Sequence, residues 1–134
     1  MAPTYPLPAF IYKIVPTPVP SPLPDTLPLS ELDAADGFIH LSTAEQTPVT
    51  ASLFFAQSTE LWLLKVDTRK TLDAGGVYAW VEGMPRCPHL YAPTEGEWLH
   101  LGRGNVAGVN EVKRGDGQTW AEAFKQLDRW LADE

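Results

Sequence analysis

The sequence has little cysteine, little positive charge and no long hydrophobic segment. Its single cysteine excludes an internal disulfide bond, which favours a reducing compartment such as the cytoplasm. Ten Lys and Arg residues stand against seventeen Asp and Glu, so the net charge is −7. This balance argues against an extended nucleic-acid groove or an anionic membrane as partner, because both select basic surfaces. No apolar run approaches the roughly 20 residues that span a bilayer, and we expect no membrane segment and no signal peptide.

What the sequence does contain is typical of one globular domain. Its length of 134 residues is a common domain size, and 44% of the residues are hydrophobic against 20% charged. We therefore predict a single domain over residues 1–134. The oligomeric state is left open by the sequence.

Proline is concentrated near the N-terminus, where nine of the thirteen prolines fall within the first 28 residues. Proline lacks an amide donor and favours extended polyproline conformation. Residues 16–28 are therefore predicted to form either a wrapping connector or a mobile arm. Their spacing also resembles the ligands of SH3-type grooves, a pattern that is common by chance.

Strand patterns dominate the rest of the chain. Apolar and β-branched runs predict strands at residues 10–15, 38–42, 60–67, 77–81, 98–101 and 106–112. Helical signals predict a turn at 29–32, a helix from the capping signals at Ser42 or Thr47 to about Phe55, and a C-terminal helix at about 119–132. Residues 83–93 contain three prolines and are predicted to be a loop. This order favours an α+β fold with a mostly antiparallel or mixed sheet.

His40 and His89 are the strongest candidates for acid–base chemistry, because histidine titrates near neutral pH. In an extended strand, His40 and Ser42 share one face. Ser42 could instead serve only as a helix cap. Between flanking prolines, His89 and Tyr91 share a face if the segment that follows Arg86 is extended.

Other chemistry is less strongly indicated. Cys87 near His89 is at most half of a zinc site, and no positive setting for a thiolate is evident, so we expect no metal. Glu82, Glu95, Glu97 and Glu111 are candidate acid–base partners, although most such carboxylates are solvated at a surface. No phosphate-binding loop, dinucleotide fingerprint or nucleophile elbow occurs.

The blocks G-F-I-H-L-S at residues 37–42 and P-H-L-Y at residues 88–91 resemble the DUF952 family. The resemblance covers roughly residues 10–114, which leaves the proline-rich segment and the C-terminal helix as additions to the shared core. Three positions depart from the family pattern. Cys87 stands where the family usually has Phe, Ala92 where it has Gly, and Glu82 follows Trp80 one residue late.

This family is similar in fold to the ADP-ribosyltransferase superfamily, which includes the RNA 2'-phosphotransferases. The resemblance implies a split, antiparallel-rich sheet around a nicotinamide-nucleotide cleft, with NAD as a candidate substrate and no certain cofactor. It implies that His40 and Ser42 hold the nicotinamide ribose and that Tyr91 or Trp80 stacks on the nicotinamide. Gln46 and Arg86 are further ligand-binding candidates. The carboxylate that steadies an oxocarbenium ion would be Glu111 or Glu82.

Three functions remain open from the sequence. The first is an enzyme of ADP-ribosyl type that acts on NAD or a related nucleotide. The second is a small-molecule isomerase, lyase or hydrolase with His40 and His89 as acid and base, because a fold does not fix a function. The third is a non-catalytic binding module whose contact is the proline-rich segment.

Overall fold

The computed structural model describes residues 7–28, 30–81, 87–92, 101–127 and 129–131. Its strands are β1 (Phe10–Val15), β2 (Ile39–His40), β3 (Glu60–Asp67), β4 (Val77–Val81), β5 (Cys87–Tyr91) and β6 (Val106–Lys113). Its helices are α1 (Glu31–Asp36), α2 (Thr47–Phe54), α3 (Thr68–Asp73) and α4 (Trp120–Phe124), and a 3-10 turn follows at Lys125–Leu127.

The described strands form two antiparallel sheets of three strands each. The first has the order β1–β3–β6 and the second the order β2–β5–β4. The continuous apolar run of β3 is central in the first sheet and contributes Leu61, Leu63, Leu64 and Val66 to the core. The predicted α+β class with antiparallel sheets is therefore confirmed.

The proline-rich segment wraps against the body of the protein. Leu27 is buried, and its amide donates to the Leu101 carbonyl oxygen at 2.7 Å. The amide of Arg103 donates to the Pro24 carbonyl oxygen at 2.9 Å, and the Arg103 side chain pairs with Asp25. Val19 and Leu23 pack on the core from the same segment. Of the two predicted forms, the structure has the wrapping connector.

One predicted loop is a strand. Residues 87–91 form β5, the central strand of the second sheet. Proline at position 88 argues against a central strand because it lacks an amide donor. Pro88 nevertheless pairs with Trp80, and its carbonyl oxygen accepts from the Leu41 amide at 3.2 Å. The tertiary pairing overrides the local signal here.

The helices differ from their predicted bounds in several places. α1 begins later than the predicted turn and runs longer, because Ser30 caps it and Gly37 ends it in the left-handed region with φ 84°. α3 was not predicted, although Asp67 caps it by accepting from the Lys70 amide. The capping pair of Thr119 and Glu122 is confirmed, but α4 is regular only to Phe124.

The predicted caps of α2 are wrong. Its N-cap is Gln46, which makes no side-chain capping bond, and Thr47 already lies inside the helix. Ser42 forms an isolated antiparallel bridge with Tyr12 instead of a capping box. No helix among the described residues is long and apolar enough to cross a membrane.

Candidate active site

The second sheet places the two predicted histidines directly opposite each other. His40 on β2 is the cross-strand partner of His89 on β5, and their ring centroids lie 5.2 Å apart at an interplanar angle of 62°. Directly opposed residues of an antiparallel pair point to the same face of the sheet. Both histidines therefore point to one face, although 48 residues separate them in the sequence.

Aromatic rings surround this pair. Phe38 stacks on His89 with centroids 4.1 Å apart and an interplanar angle of 15°. Its ring also lies 4.5 Å from His40 and 5.2 Å from Tyr91. Phe38 was not among the predicted site residues, although its position two residues before His40 signals a shared face. The four rings form a continuous wall, which we call the histidine face.

Asp33 supports this face from behind, and sequence reasoning missed it. Its side chain is 2% exposed, and Oδ1 lies 2.6 Å from Nδ1 of His40. The same oxygen accepts from the His40 backbone amide at 3.2 Å. The other oxygen, Oδ2, lies 2.6 Å from the Lys13 ammonium. Asp33 is thus held by β1 and fixes the ring of His40 on β2.

The route of the chain explains why Asp33 can reach His40. Ser30 caps α1 by accepting from the Asp33 amide at 3.1 Å. Gly37 ends the helix, and the chain turns directly into β2. The sequence contains one signal that could have found Asp33, namely a carboxylate shortly before the D-G-F-I-H turn. The predicted helical turn at 29–32 ends before Asp33, so this residue was not placed on a helix.

A second carboxylate meets the other nitrogen of His40. Nε2 of His40 lies 3.1 Å from Oδ2 of Asp36, whose side chain is 41% exposed. An ionised carboxylate only accepts hydrogen bonds, so both ring nitrogens of His40 act as donors when both contacts are made. This geometry places a carboxylate oxygen beside each ring nitrogen of His40.

Burial and neighbouring charges shift the pKa values of Asp33 and His89. Burial would raise the pKa of Asp33, but the Lys13 charge and the hydrogen bonds from Lys13 and His40 outweigh it and lower that pKa below 3.8. Burial, with a smaller contribution from His40, lowers the pKa of His89 below 6.5, and Asp36 and Asp33 only partly oppose this. His89 therefore favours its neutral form beside a carboxylate-bound His40.

Ser42 lies on the same face but does not contact His40 among the described interactions. It is 2% exposed, and its Oγ lies 3.0 Å from Oγ1 of Thr50 and 3.6 Å from Sγ of Cys87. This hydroxyl links the segment that follows β2 to α2. The structure therefore gives Ser42 a packing role next to the histidine face.

Trp80 and Glu111 are not brought to the histidine face. Trp80 pairs with Pro88 on β4, whereas its neighbour Ala79 pairs with His89, so strand alternation places Trp80 on the opposite face. Of the two predicted stacking residues, only Tyr91 lies on the face.

Glu111 also lies elsewhere, and no described contact joins Gln46 to the histidine face. Glu111 is on β6 in the other sheet, opposite Trp62, and its carboxylate lies 3.4 Å from the Lys113 ammonium. Gln46 precedes α2, and its described hydrogen bonds are made by its backbone. Glu82 and Arg86 lie outside the described residues. Within the described ranges, no group of three or more His, Cys, Asp or Glu side chains is arranged to hold a metal ion.

Fold and site together define a small α+β protein with two antiparallel sheets and a paired-histidine face backed by a buried carboxylate. The chain belongs to the DUF952 family, whose description is "Protein of unknown function", with residues 24–101 matched. This confirms the family that the G-F-I-H-L-S and P-H-L-Y blocks indicated.

Two solved structures are similar to almost the whole chain. The crystal structure of protein CC0527 from Caulobacter crescentus has 28% sequence identity and a TM-score of 0.61. That of a double mutant of the same protein has 27% identity and a TM-score of 0.62. Each comparison covers 91% of this chain and 97% of the other. No curated protein matches the chain.

Proposed function

We propose that this protein is a small-molecule enzyme that transfers protons with His89 as general base and His40 as general acid. The observation that carries the proposal is the 2.6 Å contact between Nδ1 of His40 and the buried Oδ1 of Asp33, directly opposite His89. A histidine fixed by a buried carboxylate has a defined ring orientation, which proton transfer requires.

The two histidines suit opposite roles. Both ring nitrogens of His40 lie within hydrogen-bonding distance of a carboxylate, an arrangement that suits the protonated ring of a general acid. The lowered pKa of His89 keeps its ring neutral and able to accept one. Pairs of titratable groups whose protonation is pushed apart by their surroundings are the pattern of acid–base sites.

The two ring nitrogens of His89 differ in their access to a substrate. Nδ1 of His89 is buried and has no hydrogen-bond partner among the described residues. Nε2 is therefore the nitrogen of His89 that a substrate can reach. Phe38 fixes the plane of the ring by stacking on it.

The ring spacing favours chemistry on two neighbouring atoms of one substrate, as in an isomerase or lyase. In an isomerisation, Nε2 of His89 removes a proton from a carbon next to a carbonyl group. The electron pair of that C–H bond forms a C=C bond, and the carbonyl oxygen takes a proton from Nε2 of His40 after that nitrogen leaves Asp36. When the carbon that lost the proton also carries a hydroxyl group, His89 returns its proton to the former carbonyl carbon. The hydroxyl oxygen becomes the new carbonyl oxygen, and its proton goes to His40, so both histidines are restored.

Deuterium exchange tests this chemistry across many substrates at once. Purified protein in D₂O is incubated with a panel of small carbonyl metabolites, and mass spectrometry measures deuterium gained at carbon. We expect catalysed exchange into a subset of the panel, with the rate reduced by about 10²–10⁴-fold in His89→Ala. Glu111→Gln is the matched control, because Glu111 lies in the other sheet, and it should exchange at the wild-type rate.

ADP-ribosyl chemistry on NAD is the second candidate function. The aromatic wall of Phe38 and Tyr91 beside His40 supports it, because a flat ring such as nicotinamide can stack on such a surface. Of the two predicted carboxylates, however, Glu111 lies in the other sheet, and Glu82 lies outside the described residues. Nicotinamide release from NAD that His40→Asn abolishes, with no deuterium exchange into the carbonyl panel, would replace the first proposal with this one.

The binding-module alternative has less support. The proline-rich segment that would dock in a partner groove packs Val19, Leu23 and Leu27 on the core of its own chain. Wild-type exchange rates in both His40→Asn and His89→Ala would contradict the acid–base proposal, and nicotinamide release from NAD that is unchanged in His40→Asn would contradict the ADP-ribosyl one.

A further inference from the structure

A cavity of about 510 Å³ lies beneath the proline-rich segment, away from the histidine face. Its walls are mainly apolar and include Val15, Val19, Leu27, Ile39, Leu64 and Leu101. Small-molecule sites in proteins typically enclose about 300–1,000 Å³ between mostly apolar walls. The cavity has the size and the lining of a ligand site.

The cavity and the histidine face lie on opposite sides of β2. Ile39 lines the cavity, whereas its neighbour His40 points to the histidine face. Successive residues of a strand point to opposite faces of the sheet. A ligand in the cavity would therefore not occupy the space in front of His40 and His89.

The segment that covers the cavity is rich in proline. Four prolines within residues 16–22 fix their backbone φ angles and lack amide donors. In the part of the chain that the structure describes, no backbone hydrogen bond outside the sheets ties residues 16–23 down, and the first anchors come at Pro24 and Leu27. Because protein interiors are generally close-packed, a space of this size beneath a proline-rich segment is unusual.

The charged groups of the cavity define its ligand. Among the described residues that line the cavity, Lys13 is the only basic one, and its described partner is Asp33. An ammonium carries three N–H donors, so donors remain for an acceptor on a ligand. Glu31 and Asp33 also line the cavity, which makes its formal charge negative. An anionic ligand would be repelled and would lose its hydration in an apolar space.

We propose that this cavity binds a small, neutral, mainly apolar molecule with one carbonyl or hydroxyl oxygen that accepts a hydrogen bond from Lys13. The cavity opens on the opposite side of β2 from the proposed catalytic face, and the two share Asp33, which contacts both Lys13 and His40. Its occupancy does not depend on the chemistry proposed for His40 and His89.

Two probes of nearly the same shape test the ligand class. Benzylacetone is a neutral ketone, and hydrocinnamate carries a carboxylate in place of the acetyl group. In NMR titrations of the full chain we expect saturable binding of benzylacetone with a Kd of about 0.1–1 mM. Hydrocinnamate should bind at least about tenfold more weakly. Equal or tighter binding of hydrocinnamate would overturn the proposed ligand class.

Two experiments test where benzylacetone binds: a substitution that fills the cavity, and the detection of direct contacts between the probe and the protein. Val19→Phe should weaken benzylacetone binding by more than about tenfold, because the larger ring occupies the cavity. Val49→Phe makes the same change at an exposed position of α2 outside the cavity and should bind normally. Nuclear Overhauser contacts from the probe to methyl groups of Ile39 and Leu64 should appear in the unmodified protein. Their absence, or equal affinities in the two valine variants, would overturn the site.

One further variant separates this proposal from the catalytic one. His89→Ala should bind benzylacetone with wild-type affinity even where deuterium exchange is lost. Loss of binding in His89→Ala would show that the probe occupies the histidine face, and the cavity proposal would be wrong.

Discussion

Asp33 joins two charged groups from different strands through its two carboxylate oxygens. Oδ1 lies 2.6 Å from Nδ1 of His40, and Oδ2 lies 2.6 Å from Nζ of Lys13. With 2% of its side chain exposed, this carboxylate depends on both partners for its charge to be tolerated. It is therefore both a structural link between β1 and β2 and the positioning group of the proposed acid.

Replacing Asp33 should cost much stability. In Asp33→Asn the Lys13 ammonium, whose side chain is only 12% exposed, loses its described counter-charge. We expect the free energy of unfolding, measured in urea, to fall by about 3–5 kcal/mol. Asp36→Asn removes a carboxylate from the same histidine at a more exposed position and should cost less than about 1 kcal/mol. Similar losses in the two variants would argue against the buried link.

Acid should destabilise the protein partly through Asp33. Its pKa in the folded state lies below its ordinary value of 3.8, so its stabilising contribution is fully present above that value. The contribution is lost as pH falls below 3.8 through the folded pKa. Comparing urea midpoints of the wild type and Asp33→Asn across this range measures it. A variant whose stability falls with acid as steeply as that of the wild type would contradict the assignment.

His89 should make stability depend on pH nearer neutrality. Because its folded pKa lies below 6.5, the unfolded chain binds more protons than the folded protein between these two values. Stability should therefore decrease as pH falls below 6.5 toward the folded pKa. His89→Gln removes this proton uptake and should flatten the stability profile in that window, as thermal unfolding at several pH values would show. An unchanged slope would mean that His89 is not the group responsible.

Gly102 should be required for the proline-rich segment to pack. A Cβ atom at this position would overlap the carbonyl oxygen of Asp25, which is backbone and cannot move aside alone. Gly102→Ala should lower the free energy of unfolding by about 1–3 kcal/mol. At Gly104 an added Cβ meets no described atom within 4 Å, so Gly104→Ala is the matched control and should change stability little. Equal effects of the two substitutions would rule out close packing as the cause.

Ser42 should contribute to stability more than to proton transfer. Its Oγ bonds to Oγ1 of Thr50 within a buried setting, and Ser42→Ala should cost about 1 kcal/mol. Deuterium exchange should be retained in this variant, with Thr50→Val as the partner control for the same hydrogen bond. Loss of exchange in a fully folded Ser42→Ala protein would instead give the hydroxyl a role in ligand binding.

The sequence alone determined most of the local structure. The β-branched and apolar runs of β1 and β3 fixed both strands at their observed bounds, because burial of such runs leaves few alternatives. The capping pair before α4 was readable because it depends on residues three apart. The short blocks around His40 and His89 were sufficient to identify the family.

Only the tertiary structure decided how the candidate site is assembled. The pairing of β2 with β5 sets His40 opposite His89, and a shift of one residue would have turned one histidine to the other face. Register of this kind depends on contacts between distant segments, which no local pattern encodes. The same pairing turned a proline-containing segment into a central strand and removed Trp80 from the histidine face.

Asp33 shows most clearly which features the sequence determined and which the tertiary structure decided. The sequence places an acidic residue just after the helical turn predicted at 29–32 and a lysine in the predicted first strand, and each residue type is ordinarily solvated. Packing buried both, and a buried charge is stable only beside an opposite charge or a hydrogen-bond donor. Their meeting with His40 follows from the three-dimensional placement of β1, α1 and β2, and that placement makes a common carboxylate into the support of the candidate site.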